Sequence, residues 1–502
     1  GAEAMKTATS DDGAVVVGYL AGRDMNGATH TTLLGSYAGH KITTGDKNTY
    51  VGTESGPQGA ASSGASNVGV GYVALAANTT GAYNVALGAQ ALNDNTSGQS
   101  NVAVGWNTLS KVSTANSNTA VGESALRSAT SGANNTAIGQ AAMGNAVVTG
   151  AGNTAVGYSA GGAITSGTQN VAVGQGALDA ATTGSFNTAV GDGALGSDTQ
   201  GGRSVGLGYR ALETQNFTSA TEVYNTAIGY AAGNAINTGV QNTLIGGLCG
   251  DALTTGFNNV AVGYFALGGE DTGRKNVAIG VSALKVQNQD ADCFNTAVGF
   301  EAGTTVTTGT HNTLIGGLAG NNVAGGNKQT LIGYNVEASG VGIDNEVVIG
   351  NGVSGGGAST VVIGVAAGGT ATLSLDGSDT SWAAASDERL KKDIVNSTVG
   401  LSFINALRPV TFKWNAKDAV ADTLPQYDAD SSDPVYGVGK AHHGFIAQEV
   451  KAVIDANSDV VNGHNIWVEN PDGTQQVAPS ALVPMLVKAI QELTARIETL
   501  EG

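Results

Sequence analysis

The sequence predicts a mainly β protein: a trimeric parallel β-solenoid, or β-roll, of 17-residue repeats, followed by a small α+β domain that ends in a helix with heptad spacing. Three observations carry this. A five-residue motif of the type "NTAVG" recurs along most of the chain. Glycine is abundant, 77 residues of 502, and proline is scarce, with 7. The last part of the chain abandons this composition for charged, helix-forming sequence, beginning with "AAASDERLKKDI" at Ala383.

The glycine content is about twice the usual share, yet no strict third-residue glycine marks a collagen. Hydrophobic content of 41% with mean hydropathy near zero argues against disorder. The formal net charge of −18 argues against nucleic-acid binding and suits a self-repelling soluble particle. No apolar run is long enough to span a membrane. Cys249 and Cys293 form neither a disulfide framework nor a metal site and read as two free structural thiols. No cofactor or metal is expected. "GAEAM" ahead of Lys6 reads as an expression scar, within an N-terminal tail covering residues 1–13.

The repeat region is expected over residues 14–366. Its copies begin at Ala14, Thr31, Asn48, Asn67, Asn84 and Asn101, and continue to Gln329, Asn345 and Ser359. Most steps are 17 residues, with 19 after Asn48, 18 after Asn135, 21 after Ser204 and 19 after Asn276. Seventeen residues are too few for a helix pair and suit one solenoid coil of two short strands and two turns. Stacked about 4.8 Å apart, some 20 coils would give a rod roughly 100 Å long.

Within "NTAVG" at Asn118–Gly122, Thr119 and Val121 share one face, and Ala120 the other. The Val/Ile column is expected to form the inner seam. The Ala and Gly column is expected to let another backbone approach, as three chains around one axis require. The Asn column reads either as a side-chain ladder or as turn chemistry at the strand start.

Tyrosine follows the repeat glycine at Tyr19, Tyr72, Tyr158, Tyr209, Tyr230, Tyr264 and Tyr334. Inter-coil packing is the default reading, a sugar-binding stripe the other. Two longer coils contain insertions, Arg210–Tyr224 and Ala283–Phe294. Loops carry recognition more often than scaffold does, so Arg210, Phe217, Tyr224, Gln287 and Asp290 are candidate receptor-contact residues, against the plain alternative of insertions with no role. The sparse acidic residues fall in turns without pairing, and no calcium repeat or phosphate-cradling loop is present.

These repeats resemble the head domain of trimeric autotransporter adhesins, a parallel β-roll built on "NxVAIG"-type motifs, with a longer period here.

Residues 367–385 read as a linker, and 386–502 as a separate domain. Its expected elements are a helix over Thr398–Leu407, stopped before Pro409, a strand over Val410–Trp414, and a strand entering a helix at "AHHGFIAQEV". A final helix spans Ser480–Leu500. Leu486, Ile490, Leu493, Ile497 and Leu500 step by four and three, which suits self-association of helices.

Four motifs in order, "SDERLKKDI", "LRPVTFKW", "GFIAQEV" and "LVPMLVKAIQEL", resemble the C-terminal intramolecular chaperone of phage tailspikes and tail fibres, of the self-cleaving endosialidase type. One departure is the lack of a Tyr near Pro479. The resemblance implies a homotrimer, a C-terminal chaperone that aligns three chains, and release by cutting at Ala385–Ser386. By the same analogy Ser386 is the nucleophile and Lys391 its base, a single-turnover serine endopeptidase with no outside substrate.

The chemistry is reasonable, because a serine hydroxyl needs a base and a lysine serves only when desolvated. In a regular helix residues five apart do not meet, so a turn or a neighbouring subunit must join them. Alternatively Ser386 is a helix N-cap with Asp387 and Glu388 in the first turn. His442 and His443 read as structural, with a place beside the cut site as the other reading. Parallel coils are slow to nucleate and near-identical ones invite register slips, which gives such a chaperone its purpose.

The resemblance further implies a virion location in a phage tail, with a host-surface glycan or protein and other tail or baseplate proteins as partners. The alternatives are a bacterial surface adhesin and a glycan-degrading tailspike.

Overall fold

The computed structural model describes residues 3–5, 12–366, 369–374, 383–384, 392–422, 427–435, 439–460, 466–469 and 474–501. The chain divides into two compact units, Gly1–Ala385 and Ser386–Gly502.

The first unit is the solenoid. Its main sheet has 23 strands, and all but the last two pairings are parallel, one strand per coil over 21 coils. Register is strict: Thr119 lies opposite Thr136, Ala120 opposite Ala137 and Val121 opposite Ile138. Each strand is only three residues long in nearly every coil. The expected second strand is replaced by turns. The reason is local. In the coil starting at Asn101, the seventh, ninth and seventeenth residues, Asn107, Leu109 and Ser117, are all left-handed, with φ of 49–59°, and extended backbone cannot run through such positions. Among the described residues short second strands form in four places, where Ser128–Ala129 pairs with Val147–Val148 and Gly201–Gly202 with Thr221–Glu222.

The faces are the reverse of the expectation. Ala120 points inward and is fully buried, while Thr119 and Val121 point outward. The coil is narrow, and its interior is already filled by the eighth, ninth and twelfth residues, such as Ala125, Leu126 and Ala129. Only a small side chain fits opposite them at most third positions. The glycine column likewise serves the stack itself. Gly122 has φ of 129°, and a Cβ there would lie 2.6 Å from the carbonyl oxygen of Gly139 in the next coil. The backbone that comes close belongs to the same chain.

Core volume is balanced within each coil. In most coils Leu at the ninth position accompanies a small or polar twelfth residue, as in Leu92 with Asn95 and Leu178 with Ala181, with Leu109 and Val112 as an exception. Gly at the ninth accompanies a large one, as in Gly161 with Ile164 and Gly250 with Leu253. A Cβ on Gly250 would sit 2.9 Å from both Leu244 and Leu253.

The asparagine column is a ladder and a strand-start cap at once. Asn84 donates its backbone N–H to Asn67 Oδ1 at 3.0 Å, and its side-chain amide to the same oxygen at 3.1 Å and to the Gly98 carbonyl at 2.8 Å. At the end of the column the ladder position is held by Glu346 and Thr360, both buried. Asn345 and Ser359, read as repeat starts, are instead the left-handed residues just before the strand. Part of the expected linker belongs to the sheet: Gly369–Ser374 pairs antiparallel with Thr360–Val365, and Ala383–Ala384 pairs with it in turn.

The second unit holds helices α1 (Leu401–Ala406), α2 (Ala447–Asp455) and α3 (Val483–Glu501), with strand pairs Val410–Phe412/His442–Gly444 and Trp467–Glu469/Gln475–Val477. Phe403, Leu407, Val450, Ile454, Ile466 and Leu482 form its core. The first amide of α1, Leu401 N–H, donates to Glu492 of α3 at 2.9 Å. A carboxylate at a helix N-terminus satisfies an orphan donor and complements the helix dipole.

Candidate functional site

Ala385, Ser386 and Lys391 all lie outside the described residues, so the geometry of the expected cleavage dyad is not part of this structure. The boundary between the two compact units nevertheless falls between Ala385 and Ser386.

Downstream, the two histidines sit on the strand paired with Val410–Phe412. His443 Nδ1 lies 3.2 Å from the Thr411 hydroxyl. The His442 ring packs beside Phe412 and Trp414, and its Nε2 is buried without a hydrogen-bond partner. Arg408, just before this strand, pairs through its guanidinium with Glu449 of α2 at 2.9 Å. The arginine holds the Glu449 carboxyl below its ordinary pKa.

The insertions separate into residues that build the loop and residues that face solvent. Phe217 and Gln287 are buried. Gln215 and Gln287 occupy the twelfth, core-facing position of their coils, each one coil after a buried acid. Asp198 accepts from Gln215 Nε2 at 2.5 Å and from the amides of Gly201 and Phe217. Glu270 accepts from the amides of Gly273 and Gln289, and burial raises its carboxyl pKa. The two buried acids tie the lengthened turns to the core through the amides of Phe217 and Gln289. Gln215 also bridges the break in the asparagine ladder at Ser204, reaching the Ser204 hydroxyl at 3.1 Å and accepting from Asn225.

Tyr224, Arg210 and Asp290 face outward. Arg210 pairs with Glu213 and lies over the Tyr209 ring, and Asp290 pairs with Arg274. Tyr224 belongs to a small cluster that the sequence did not single out. The Arg203 guanidinium lies 4.9 Å from the Phe186 ring and 5.9 Å from the Tyr224 ring, and bonds Glu222 at 3.0 Å. An open cleft of about 230 Å³ adjoins it, lined by Thr183, Gln200, Arg203 and Glu222 among others.

Both cysteines are buried and unpaired, and burial pushes the Cys249 thiol up to about 12. Among the described residues no cluster of His, Cys, Asp or Glu could hold a metal, and no helix is long and apolar enough to cross a membrane.

Exposed apolar residues gather elsewhere. The outward second and fourth residues of the coils make a stripe along the sheet, in which Val17, Leu34, Leu87, Ile138, Leu207 and Ile279 are exposed. On α3, Leu486, Ile490, Leu493, Ile497 and Leu500 are exposed as well.

Residues 386–459 match the family model described as the chaperone of endosialidase. The match begins at Ser386, where the second compact unit begins. No curated protein matches the chain. A β-solenoid joined to an endosialidase-type chaperone sequence is the make-up of a fibre- or tailspike-type protein.

Proposed function

We propose that this chain is a structural fibre protein of a phage tail, working as a homotrimer that faces the host surface, with a C-terminal chaperone that starts assembly and is then cut away. The observation that carries the reading is the pair of unpartnered apolar faces, one in each unit. A stripe of Thr, Val, Ile and Leu that repeats every coil over 21 coils is far larger than the scattered apolar residues of an ordinary monomer surface. A second copy of the same chain matches its period rung for rung. The heptad face of α3 calls for the same occupant. The two faces therefore support parallel copies of one polypeptide.

The order of events follows from the folding problem. Near-identical coils can pair out of step, and association of the second unit sets three chains level before the coils stack. Cleavage then removes the starting device. In the proposed step, Ser386 Oγ attacks the Ala385 carbonyl carbon while Lys391, as a neutral amine, takes the hydroxyl proton. The acyl group passes from the Ser386 nitrogen to its oxygen, and water opens the ester to leave a carboxylate on Ala385 and a free amine on Ser386. The coincidence of the family match and the unit boundary at Ser386 supports this place for the cut.

Light scattering joined to a denaturing gel and intact-mass measurement tests the reading. The expected result is an assembly of three chains of 49.6 kDa each, less the released domain where cleavage has occurred. Ser386→Ala is expected to give a trimer of uncut chains. A single compact subunit in solution would refute the assembly, and cutting at Ala385 in the Ser386→Ala variant would refute the nucleophile.

A further inference from the structure

The sixth residue of each coil, directly after the strand glycine, projects from the stack. Seven successive coils show a regular pattern there. Tyr230, Tyr264, Phe300 and Tyr334 stand at every second coil, and Gly247, Val281 and Gly317 stand between them. The four rings are 60, 57, 55 and 58% exposed, so stacking of the coils does not bury them. Two coils of about 4.8 Å each put successive rings about 9.6 Å apart.

A Cβ on Gly247 would touch the Tyr264 ring at 3.7 Å, and one on Gly317 would touch the Tyr334 ring at 3.5 Å. These rings lean back over the glycine of the preceding coil instead of standing clear. Among the described residues, the hydroxyls of Tyr230, Tyr264 and Tyr334 make no hydrogen bond to the protein.

We infer that this aromatic ladder binds an extended, neutral, equatorially linked polysaccharide, one disaccharide per rung interval. Two such pyranose rings end to end match the two-coil spacing. Each sugar carries an apolar C–H face that packs on an aromatic ring, and hydroxyls at its rim that the phenol groups can meet. A neutral chain fits best, because the protein carries −18 and Glu301 follows Phe300 directly. Another copy of this chain fits less well: the face suited to copies is the outward Thr/Val/Ile stripe, filled at every coil, whereas the ladder is filled at alternate coils and carries phenols.

The inference names a ligand class for the proposed host-facing rod and does not depend on cleavage at Ser386. Its test is native affinity electrophoresis of the full chain through hydroxyethylcellulose, a β-1,4-linked polymer, with α-linked dextran as control. The wild type is expected to be retarded by the first and not the second. The Tyr264→Ala/Phe300→Ala double variant is expected to lose at least ten-fold in affinity, while Phe300→Tyr and Tyr83→Ala, an exposed ring outside the column, keep it. All variants should sediment as the wild type does. Equal binding by the double variant, or no retardation of the wild type, overturns the proposal. So does a changed sedimentation coefficient of the double variant, which would assign the rings to contact between copies. A wild type that sediments as a single chain yet is retarded would sink the trimer and leave the ladder standing.

Discussion

Replacing Asn170 by Ala tests whether the asparagine ladder holds the coils together. Asn170 Oδ1 accepts the Asn187 backbone N–H at 2.9 Å, and Nδ2 donates to the Asn153 side chain at 3.1 Å and to the Gly184 carbonyl at 2.9 Å. Asn187 and Gly184 are both buried. Asn153 Oδ1 keeps the Asn170 backbone N–H at 3.0 Å and loses little. The substitution therefore strands two buried backbone groups, at about 1–3 kcal/mol each, for a total of roughly 2–6 kcal/mol. In a stack of nearest-neighbour contacts the damage should stay within the adjoining coils. Denaturant unfolding followed by circular dichroism, at fixed protein concentration because assembly contributes to stability, measures the loss. Hydrogen exchange at the Asn187 amide locates it. A loss below about 0.5 kcal/mol, the usual range for surface changes, would mean that the ladder bonds merely replace equivalent bonds to water.

Gly157→Ala should be worse than an ordinary Gly→Ala change, because φ is 134° and the new Cβ would lie 2.6 Å from the Gly174 oxygen; a thermal melt unchanged within error would contradict the stacking geometry. Burial holds the Glu270 carboxyl above its ordinary pKa, so the folded state binds that proton more tightly than the unfolded chain does. Its contribution to stability should fall as pH rises from about 4.3, the ordinary glutamate value, through the raised one, and Glu270→Gln should flatten that part of the stability–pH curve. Ile490→Asp with Leu493→Asp places charges on the exposed heptad face of α3; assembly is expected to fail in light scattering, and full-sized assemblies from that variant would exclude α3 as the starting contact.

The coil period, the parallel stacking and the small terminal unit could be read directly from the repeat, because a 17-residue step sustained over the chain has few structural solutions. Which face looks inward could not. A three-residue strand offers two faces, and the size of Val and Ile points to the wrong one as the interior. The coil proves too narrow for them, since Leu126 and Ala129 already fill the space that Ala120 faces. At the last two repeats Asn345 and Ser359 have the residue types of ladder positions, yet Glu346 and Thr360 hold them. Phe217 and Gln287 lie in insertions, but a lengthened turn has to be anchored, and both are buried. The tyrosines alone do not reveal the full aromatic column, because Trp106 and Phe300 occupy the same position of their coils, and Phe300 completes the two-coil rhythm. The expected cleavage residues Ala385, Ser386 and Lys391 lie outside the described residues.

The trade between the ninth and twelfth positions bears on how such a molecule changes length over generations. A coil with Leu and Ala, or with Gly and Ile, brings its own filling, so a single copy can be gained or lost with little repacking of its neighbours. Coils with Leu at the third position are the exception: Leu244 would be struck by a Cβ on either Gly233 or Gly250, so such a coil and its predecessor must be inherited together. Growth by whole turns, some singly and some in pairs, gives selection a ruler with steps of about 4.8 Å.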